Sequence, residues 1–306
     1  MYSQKPGRTM KHVICILLLT LTFLLCQSQA LFPFRVDSLW GYKNKQGVVK
    51  IEPQFQYASR FFFSIAIAAK DDKFGVIDSN NNLIIPFRYE FLQPLDTSEF
   101  LFGFHAKYFG EYLLGVMTKE EKIKIPANYN FISKNKGSYR VSKNVDSIIG
   151  RGSIGDVRAG GAKYGLADGS GKVVIPCRYH YVDWINDSLF VVDSSFLTVD
   201  KRFLETRCAL FNKKGEQLTT FEYNWFGKFA EGLAIGRIGN KCGFIYPNGK
   251  VAIPMTFDIC EDFNNGFSII KQQNKWGAID KKGKIIIVPK YEYEEVKASL
   301  KEKYGS

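Results

Sequence analysis

The hydrophobic pattern of the chain is a succession of short apolar stretches bounded by glycine, proline, aspartate or asparagine. Val76-Ile77 and Leu83-Ile84-Ile85 are typical, because they are rich in β-branched residues and too short for buried helices. In the body of the chain, no window keeps the 3.6-residue period of an amphipathic helix over ten positions. The pattern therefore predicts an all-β protein.

One unit recurs along the chain with constant internal spacing. It begins with an aromatic residue and a glycine, as in Trp40-Gly41 and Trp276-Gly277, and a second aromatic residue stands 14 positions after that glycine. In the fifth unit Cys208-Ala209 replaces the opening pair. Fixed self-similarity of this kind is typical of repeat architectures. The seven units start near residues 39, 73, 113, 163, 207, 241 and 275.

Each unit carries a turn at the same place. Six residues after the first glycine, five of the seven units have another glycine, and the other two have Asn81 and Glu121. A position that so favours glycine is predicted to adopt positive φ in a hairpin. Asp78, Asp168 and Asp280 open three of these turns and are predicted to accept backbone N–H bonds there.

Proline follows the second apolar stretch in most units, as at Pro86 and Pro176. Because proline has no N–H, that strand is predicted to end there or to lie at a sheet edge. A further segment follows the second aromatic residue, as in Phe229–Ile235. Each unit is therefore predicted to supply three strands. The central units carry insertions, the longest at Ser142–Ala162, which are expected to form loops on one face.

The C-terminal segment Glu292–Tyr304 differs from the rest, because it consists mostly of strong helix formers with apolar residues on one face. We predict a short helix that caps the last unit. Residues 31–306 are then a single array of about seven three-stranded β units. We expect an open, superhelical array, because the central insertions are unequal in length, and a closed, propeller-like ring is the alternative.

These units resemble the WG-repeat family, which is named for the Trp-Gly pair retained at Trp40-Gly41 and Trp276-Gly277. The likeness extends from about Trp40 to Tyr291 and is weaker in the third, fourth and fifth units. It implies a bacterial, β-rich repeat protein that acts as an interaction module, and it carries over no active site. The two aromatic columns of the repeat are expected to pack in the core.

The N-terminus has the pattern of a secretory signal peptide in residues 1–30. Lys5, Arg8 and Lys11 precede an apolar run from Val13 to Leu25, and Ser28-Gln29-Ala30 places small residues before a cleavage site. The run is short for a membrane span. We expect export to the periplasm, the cell surface or the medium, with no transmembrane span in the mature chain. Lipidation of Cys26 is the alternative, with Leu25 where such a signal prefers a small residue.

Charge adds a candidate binding surface. The chain has a net charge of +12, of which +9 remains after removal of residues 1–30. Residues 134–163 hold seven basic and two acidic residues. Trp184 and Trp225 lie outside the two aromatic columns, so they are free to stack on sugar rings. The candidate binding residues are Trp184, Trp225, Lys134, Lys136, Arg140, Lys143, Arg151 and Arg158.

Catalytic and cofactor motifs are weak. His105 and His180 have no metal-ligand spacing with cysteine or carboxylates, and no nucleophile elbow occurs. We expect no catalytic residue, metal or cofactor, and export disfavours nucleic acid as a partner. Four cysteines remain after residue 30, and Cys208 and Cys242 occupy the same column of consecutive units. They are the candidate disulfide, with two free buried thiols as the alternative.

Three functional hypotheses follow. The first is a non-enzymatic, exported protein-interaction or scaffold module of unknown partner. The second is a cell-wall or carbohydrate-binding module. The third and most remote is a glycan hydrolase, which would need a cleft with two facing carboxylates.

Overall fold

The computed structural model describes residues 30–106, 111–152, 155–197 and 204–305. In 145–152, 155–160, 196–197 and 204 the description covers the backbone alone. The predicted signal segment 1–30 and Cys26 therefore lie outside the described residues, apart from Ala30.

The described chain is almost entirely β, as predicted. Its strands are β1 (Phe32–Val36), β2 (Leu39–Lys43), β3 (Val49–Phe55), β4 (Tyr57–Ala58), β5 (Ile65–Lys70), β6 (Lys73–Asp78), β7 (Leu83–Tyr89), β8 (Phe91–Pro94), β9 (Glu99–His105), β10 (Tyr112–Thr118), β11 (Ile123–Tyr129), β12 (Phe131–Asn135), β13 (Ser138–Gly152), β14 (Gly155–Ala167), β15 (Val173–Tyr179), β16 (Tyr181–Trp184), β17 (Leu189–Leu197), β18 (Leu204–Asn212), β19 (Trp225–Ala230), β20 (Leu233–Ile238), β21 (Lys241–Ile245), β22 (Val251–Phe257), β23 (Ile259–Cys260), β24 (Phe267–Gln272), β25 (Lys275–Asp280) and β26 (Ile285–Tyr291). One helix follows, α1 (Tyr293–Tyr304).

The described residues divide into two compact units. The first comprises the chain up to Phe104 together with Met117–Lys122, and the second comprises His105–Val116 and the chain from Ile123 onward. The strands form seven antiparallel sheets of three or four strands. In the first unit the orders are β1-β2-β3 and β4-β5-β6-β7, and β8 pairs with β9. In the second they are β12-β13-β14-β15, β16-β17-β18, β19-β20-β21-β22 and β23-β24-β25-β26.

Sheets and sequence repeats are offset from each other. The second aromatic residue of a repeat ends one sheet, and after a single residue the chain enters the next sheet. Tyr89 ends β7 and Phe91 opens β8, while the N–H of the intervening Glu90 donates to the Gly103 carbonyl of β9 at 3.2 Å. The Glu90 carboxylate also pairs with Lys73 at 2.7 Å. Each four-stranded sheet therefore takes strands from two consecutive repeats.

The glycine of the opening pair is required by a close strand approach. A Cβ at Gly75 would lie 2.7 Å from the Ile85 carbonyl oxygen of β7, and the equivalent glycines of four other repeats meet the same obstacle. The proline-bearing strand approaches there because it contains two extra residues: Phe74 pairs with Tyr89, but Val76 pairs with Ile85. That strand lies at the sheet edge, as the prolines predicted.

The fifth repeat tests this explanation. Ala209 stands in place of the glycine, and the corresponding proline is absent. Only isolated bridges, Cys208 with Tyr223 and Phe211 with Gln217, replace the fourth strand. The sheet β16-β17-β18 consequently has three strands.

The predicted turns are confirmed. All seven positions expected to have positive φ do so, including Asn81 at 65° and Glu121 at 59°. Asp78, Asp168 and Asp280 each accept backbone N–H bonds from the residues two and four positions later, at 2.8 to 3.1 Å.

The predicted helix α1 is also confirmed. Glu292 and Glu295 form a capping box at its N-terminus, and Val296 and Leu300 are buried. The Tyr293 ring packs against Trp276 with 4.9 Å between centroids. The helix therefore covers the last sheet of the second unit.

The predicted Cys208–Cys242 bridge is wrong. Cys242 is bonded to Cys260, with 6.1 Å between their Cα atoms, and Cys208 is a buried free thiol. The reason is the way in which the chain passes from one sheet to the next. Cys242 opens its repeat on β21, and β21 lies near β23, which contains Cys260. Opening residues of consecutive repeats are on different sheets. Cys177 is the other free thiol of the described residues.

Candidate functional site

A row of side chains crosses the four-stranded sheets β4-β5-β6-β7, β12-β13-β14-β15, β19-β20-β21-β22 and β23-β24-β25-β26 at the same register. In the second sheet the cross-strand partners are Tyr57, Ala69, Phe74 and Tyr89. Residues directly opposite one another point to the same face. The first of the four stands two positions after a repeat's second aromatic residue. The row therefore joins two sequence repeats.

The same row in the sheet β16-β17-β18 has a different composition. Tyr181, Asp193 and Cys208 are cross-strand partners, and Tyr223 completes the row through an isolated bridge. Asp193 thus takes the place of Ala69, and Cys208 takes the place of Phe74. The thiol is much smaller than an aromatic ring, so it offers less apolar surface at this position.

A groove of about 440 Å³ lies at this row, and we refer to it as the Trp225 groove. Its lining includes Tyr181, Asp183, Asp193, Cys208, Trp225 and Lys228. Cys208 is only 3 % exposed, whereas Trp225 is 50 % exposed. The groove therefore has a small buried residue in its floor and an open indole at its side.

Local contacts fix the position of Trp225. A Cβ at Gly227 would lie 3.1 Å from Cη2 of the indole, so the ring packs against backbone that has no side chain. The neighbouring Phe226 is buried against Tyr223, with 4.5 Å between ring centroids. The N–H of Gly239 donates to Asn224 Oδ1 at 2.6 Å, which ties the start of β19 to the next turn.

Two carboxylates line the groove. Burial raises the pKa of Asp193, repulsion from Asp183 adds to this, and the nearby His180 opposes it. Burial, reinforced by Asp193, raises the pKa of Cys208 to about 12. The groove thus holds a desolvated carboxylate and a thiol that stays protonated at neutral pH.

Trp184 lines the same groove, but its ring has structural contacts. Its Nε1 donates to Ser138 Oγ at 2.9 Å, and the Arg140 guanidinium lies 5.0 Å from the ring centroid. Arg140 also lies over Tyr181 at 4.8 Å and donates to its hydroxyl at 2.6 Å. The Arg140 side chain is only 16 % exposed. Trp184 and Arg140 therefore act as supports beside the groove, and Trp225 offers the open ring.

Lys134, Lys136 and Lys143 do not line the Trp225 groove. Lys136 pairs with Asp187 at 2.8 Å, Lys134 lies 5.6 Å from the Tyr139 ring centroid, and Lys143 lies 4.9 Å from that of Tyr129. Arg151 and Arg158 belong to β13 and β14, where the backbone alone is described.

The expected central loop is instead a long hairpin. β13 and β14 pair from Tyr139 with Ala167 out to Gly152 with Gly155, with one irregularity between Ile148 and Gly150. The prediction of a loop was therefore wrong over most of Ser142–Ala162, because antiparallel pairing of the two strands continues through the insertion.

A second groove lies in the first unit, and we refer to it as the Phe62 groove. It has a volume of about 530 Å³, and its lining includes Tyr57, Arg60, Phe62, Phe74 and Phe91. Tyr57 and Phe74 belong to the row described above, so the two grooves occupy equivalent positions of different repeats. Arg60 is the one charged residue in this lining.

The turn beside the Phe62 groove is unusual. Phe62 is 46 % exposed and Phe63 is 68 % exposed. Phe63 and Ser64 adopt positive φ of 45° and 67°, a region that bulky residues rarely occupy. The equivalent turns of two later repeats have glycine at the second of these positions, as Gly232 and Gly266.

Sequence reasoning placed Trp225 outside the repeat, and this was wrong. The position two residues after the second aromatic residue forms a third column, which is aromatic in six of seven repeats and exposed in several. Its members are Tyr57, Phe91, Phe131, Tyr181, Trp225, Ile259 and Tyr293. The constant spacing from the second column was the signal that could have shown it.

A known protein family matches the chain in segments that begin near the starts of the repeats. The model described as WG containing repeat matches residues 40–74, 74–99, 164–192, 210–242, 243–276 and 276–293, which is more than half of the chain. The chain belongs to the WG-repeat family. In this WG-repeat protein, the glycine of the Trp-Gly pair leaves room for the bulged edge strand. The unmatched residues 100–163 include much of the long central hairpin.

Other comparisons add little to the WG-repeat assignment. No curated protein matches the sequence. A solved structure described as the crystal structure of the eukaryotic initiation factor shares 10 % identity and covers 87 % of this chain and 74 % of that chain, with a TM-score of 0.34. A likeness at that level supports no inference about function.

The described residues contain neither a cluster of metal ligands nor a membrane-spanning helix. No group of three or more histidine, cysteine, aspartate or glutamate residues among them is arranged to hold a metal ion. No described helix has the length and apolar character needed to cross a membrane.

Proposed function

We propose that this WG-repeat protein is a non-enzymatic, exported interaction module that binds a protein partner. The observation that supports this is the Phe62 groove with its two exposed phenylalanines. Exposed apolar surface beside a groove is typical of protein-binding sites. Since Arg60 is the one charged residue in the lining, we expect an apolar segment of the partner with an acidic group nearby.

Backbone strain strengthens this argument. A bulky residue in a sparsely populated φ region costs on the order of 1–3 kcal/mol and persists only where its surroundings impose it. At Phe63 the strain coincides with an aromatic ring left in solvent, so neither backbone preference nor burial explains the residue. Partner binding would bury the ring and offset its exposure.

The test is affinity capture with the mature chain, residues 31–306, from extracts of its native envelope. Phe62→Ser, which removes an exposed ring from the lining of the groove, should lose the partner, whereas Val48→Ser, which removes an exposed apolar residue outside that lining, should retain it. Identical captured proteins for both variants would contradict the assignment to this groove.

Export rests on the N-terminal pattern. Sequencing of the protein recovered outside the cytoplasm should start at Leu31. A lipid-modified N-terminus at Cys26 would support the lipoprotein alternative instead. An N-terminus at Met1, or at Met10 if synthesis starts at that methionine, would contradict export by cleavage.

The second candidate function is a cell-wall or carbohydrate-binding module. The observation that favours it is the half-exposed Trp225 beside groove-lining residues that can form hydrogen bonds. Retention of the mature chain on insoluble cell-wall glycan tests it. A variant lacking residues 142–162 shows whether the basic hairpin or the groove is responsible.

The hydrolase hypothesis has its own test. Asp183 and Asp193 both line the groove, and a carboxyl group with raised pKa is typical of a general acid. If the protein is a binding module, incubation with the retained glycan releases no new reducing ends. Release that disappears in Asp193→Asn would make it an enzyme.

A further inference from the structure

We propose that the Trp225 groove is a binding site for a neutral glycan, with one pyranose ring stacked on Trp225 and its hydroxyl groups bound by Asp183 and Asp193. The proposal rests on the carbohydrate-binding function given above as the second candidate. It goes beyond that function by naming the site, the chemistry of the sugar and the role of each residue.

The exposed indole of Trp225 suits the face of a pyranose ring. The C–H groups on one face of a pyranose carry partial positive charge, and the face of an aromatic ring is negative, so the two surfaces attract as well as exclude water. Trp225 is half exposed, and its packing against Gly227 holds the ring in place before a ligand arrives. A side chain that is already ordered loses little conformational entropy when the ligand binds.

The groove offers hydrogen-bonding groups to a sugar. Among the described residues, both hydrogen bonds that Asp183 accepts, from the Trp184 N–H at 2.9 Å and from Arg140 at 3.4 Å, end on Oδ1. Oδ2 of Asp183 therefore remains for a ligand hydroxyl. Asp193 and Lys228 add a second acceptor and a donor to the same lining. Hydroxyl groups bound by carboxylates form strong, charge-assisted hydrogen bonds.

The charges of the groove favour a neutral ligand. Arg140 already pairs with Asp183, and Asp193 is a half-buried carboxylate whose charged form is disfavoured by burial and by its acidic neighbour. An anionic sugar would add a third negative charge to a lining that holds two carboxylates and one ammonium group, that of Lys228, which is unfavourable. A neutral sugar donates hydrogen bonds from its hydroxyl groups to both carboxylates without that repulsion.

The groove is large enough for a sugar ring. Its volume of about 440 Å³ falls within the range of small-molecule sites, roughly 300–1,000 Å³. The equivalent Phe62 groove, which has Phe74 where Cys208 stands here, is of similar size at about 530 Å³. The two replacements in the row, Cys208 for an aromatic residue and Asp193 for alanine, therefore change the polarity of the groove.

The test uses the full mature chain, residues 31–306, and five neutral hexasaccharides, composed of glucose, N-acetylglucosamine, mannose, xylose or galactose. Titration calorimetry and tryptophan fluorescence measure binding. Wild type is expected to bind at least one of them, and Trp225→Ala should lower that affinity at least tenfold. Trp225→Phe should recover part of the loss, because a smaller ring still offers a face.

Controls separate the possible failures. Phe63→Ala removes an exposed aromatic residue in the first unit and should leave sugar affinity unchanged, and near-UV circular dichroism should show that each variant is folded. Equal affinity of wild type and Trp225→Ala would overturn the assignment to this groove while leaving carbohydrate binding intact. Absence of binding to all five hexasaccharides by wild type would overturn the carbohydrate function and the site together.

Discussion

The Phe62 groove and the Trp225 groove occupy the same place in the repeat, yet one is apolar and the other is acidic. Both lie on a row that starts two residues after a second aromatic residue, at Tyr57 in one case and Tyr181 in the other. The row continues as Ala69 and Phe74 in the first unit, and as Asp193 and Cys208 in the second. Together with Asp183, these two replacements make the lining of the Trp225 groove more polar than that of the Phe62 groove.

The sheets that carry the two rows also differ in their number of strands. The sheet of the Phe62 groove has four strands and a glycine, Gly75, beneath the bulged edge strand. The sheet of the Trp225 groove has three strands and Ala209 at that position. The row is retained without the edge strand, because the other strands of the sheet keep their register.

The largest effect is expected at the glycine that admits the edge strand. Gly75→Ala places a methyl group 2.7 Å from the Ile85 carbonyl oxygen, so we expect a loss of about 2 to 4 kcal/mol in the free energy of unfolding. Urea denaturation followed by circular dichroism measures it. Gly161→Ala is the matched control, because no atom of the described residues lies within 4 Å of its added Cβ. Similar losses for both would contradict the close-approach explanation.

A double substitution converts one groove into the other. Asp193→Ala with Cys208→Phe gives the Trp225 groove the row of the Phe62 groove, so sugar affinity should fall at least tenfold, about 1.4 kcal/mol. Titration calorimetry with the best hexasaccharide measures the change, and Asp193→Ala alone is measured in parallel in case the larger ring does not fit. Unchanged affinity in both variants would show that the row does not determine the ligand.

A smaller effect is expected from the charge of Asp193. Because its folded pKa is raised, the folded chain binds the proton more tightly than the unfolded chain, whose carboxyl titrates near pH 4. Stability is therefore lost as pH rises from that value through the folded pKa. Asp193→Asn removes this loss, so its stability relative to wild type should increase across that window and then stay constant. Urea denaturation at a series of pH values tests this, and a difference independent of pH would contradict it.

The smallest effect concerns the thiols. With a pKa of about 12, Cys208 should be almost unreactive towards iodoacetamide at pH 8 in the folded mature chain. Without reductant, denaturation should expose two alkylatable thiols, Cys177 and Cys208. Peptide mapping should show Cys242 joined to Cys260, and a Cys208–Cys242 peptide would contradict the structure.

The local parts of the fold could be predicted from the sequence. Turn positions such as Asn81 and Glu121, the edge location of the proline strands and the helix α1 depend on neighbours a few residues away, so residue type and spacing were sufficient. The strand content was predictable for the same reason.

The parts that depend on pairing between distant segments could not be predicted. The Cys242–Cys260 bond depends on the place where the chain crosses from one sheet to the next, which spacing alone does not show. Antiparallel pairing through the central insertion likewise depends on two strands matching over their whole length. At the candidate site, the sequence indicated Trp225 as a binding residue. It did not indicate Asp193 and Cys208, because cross-strand pairing brings these two residues together in the groove.

The offset between sheets and repeats has a consequence for how such a protein can be shortened or extended. A peptide cut at the borders of one sequence repeat contains the end of one sheet and the beginning of another, and it completes neither. The smallest fragment that can form a four-stranded sheet must span two repeats. When a repeat is gained or lost, the repeats on either side of the change must form a new shared sheet. Only repeats whose strands pair and pack well in that sheet can therefore be added or removed.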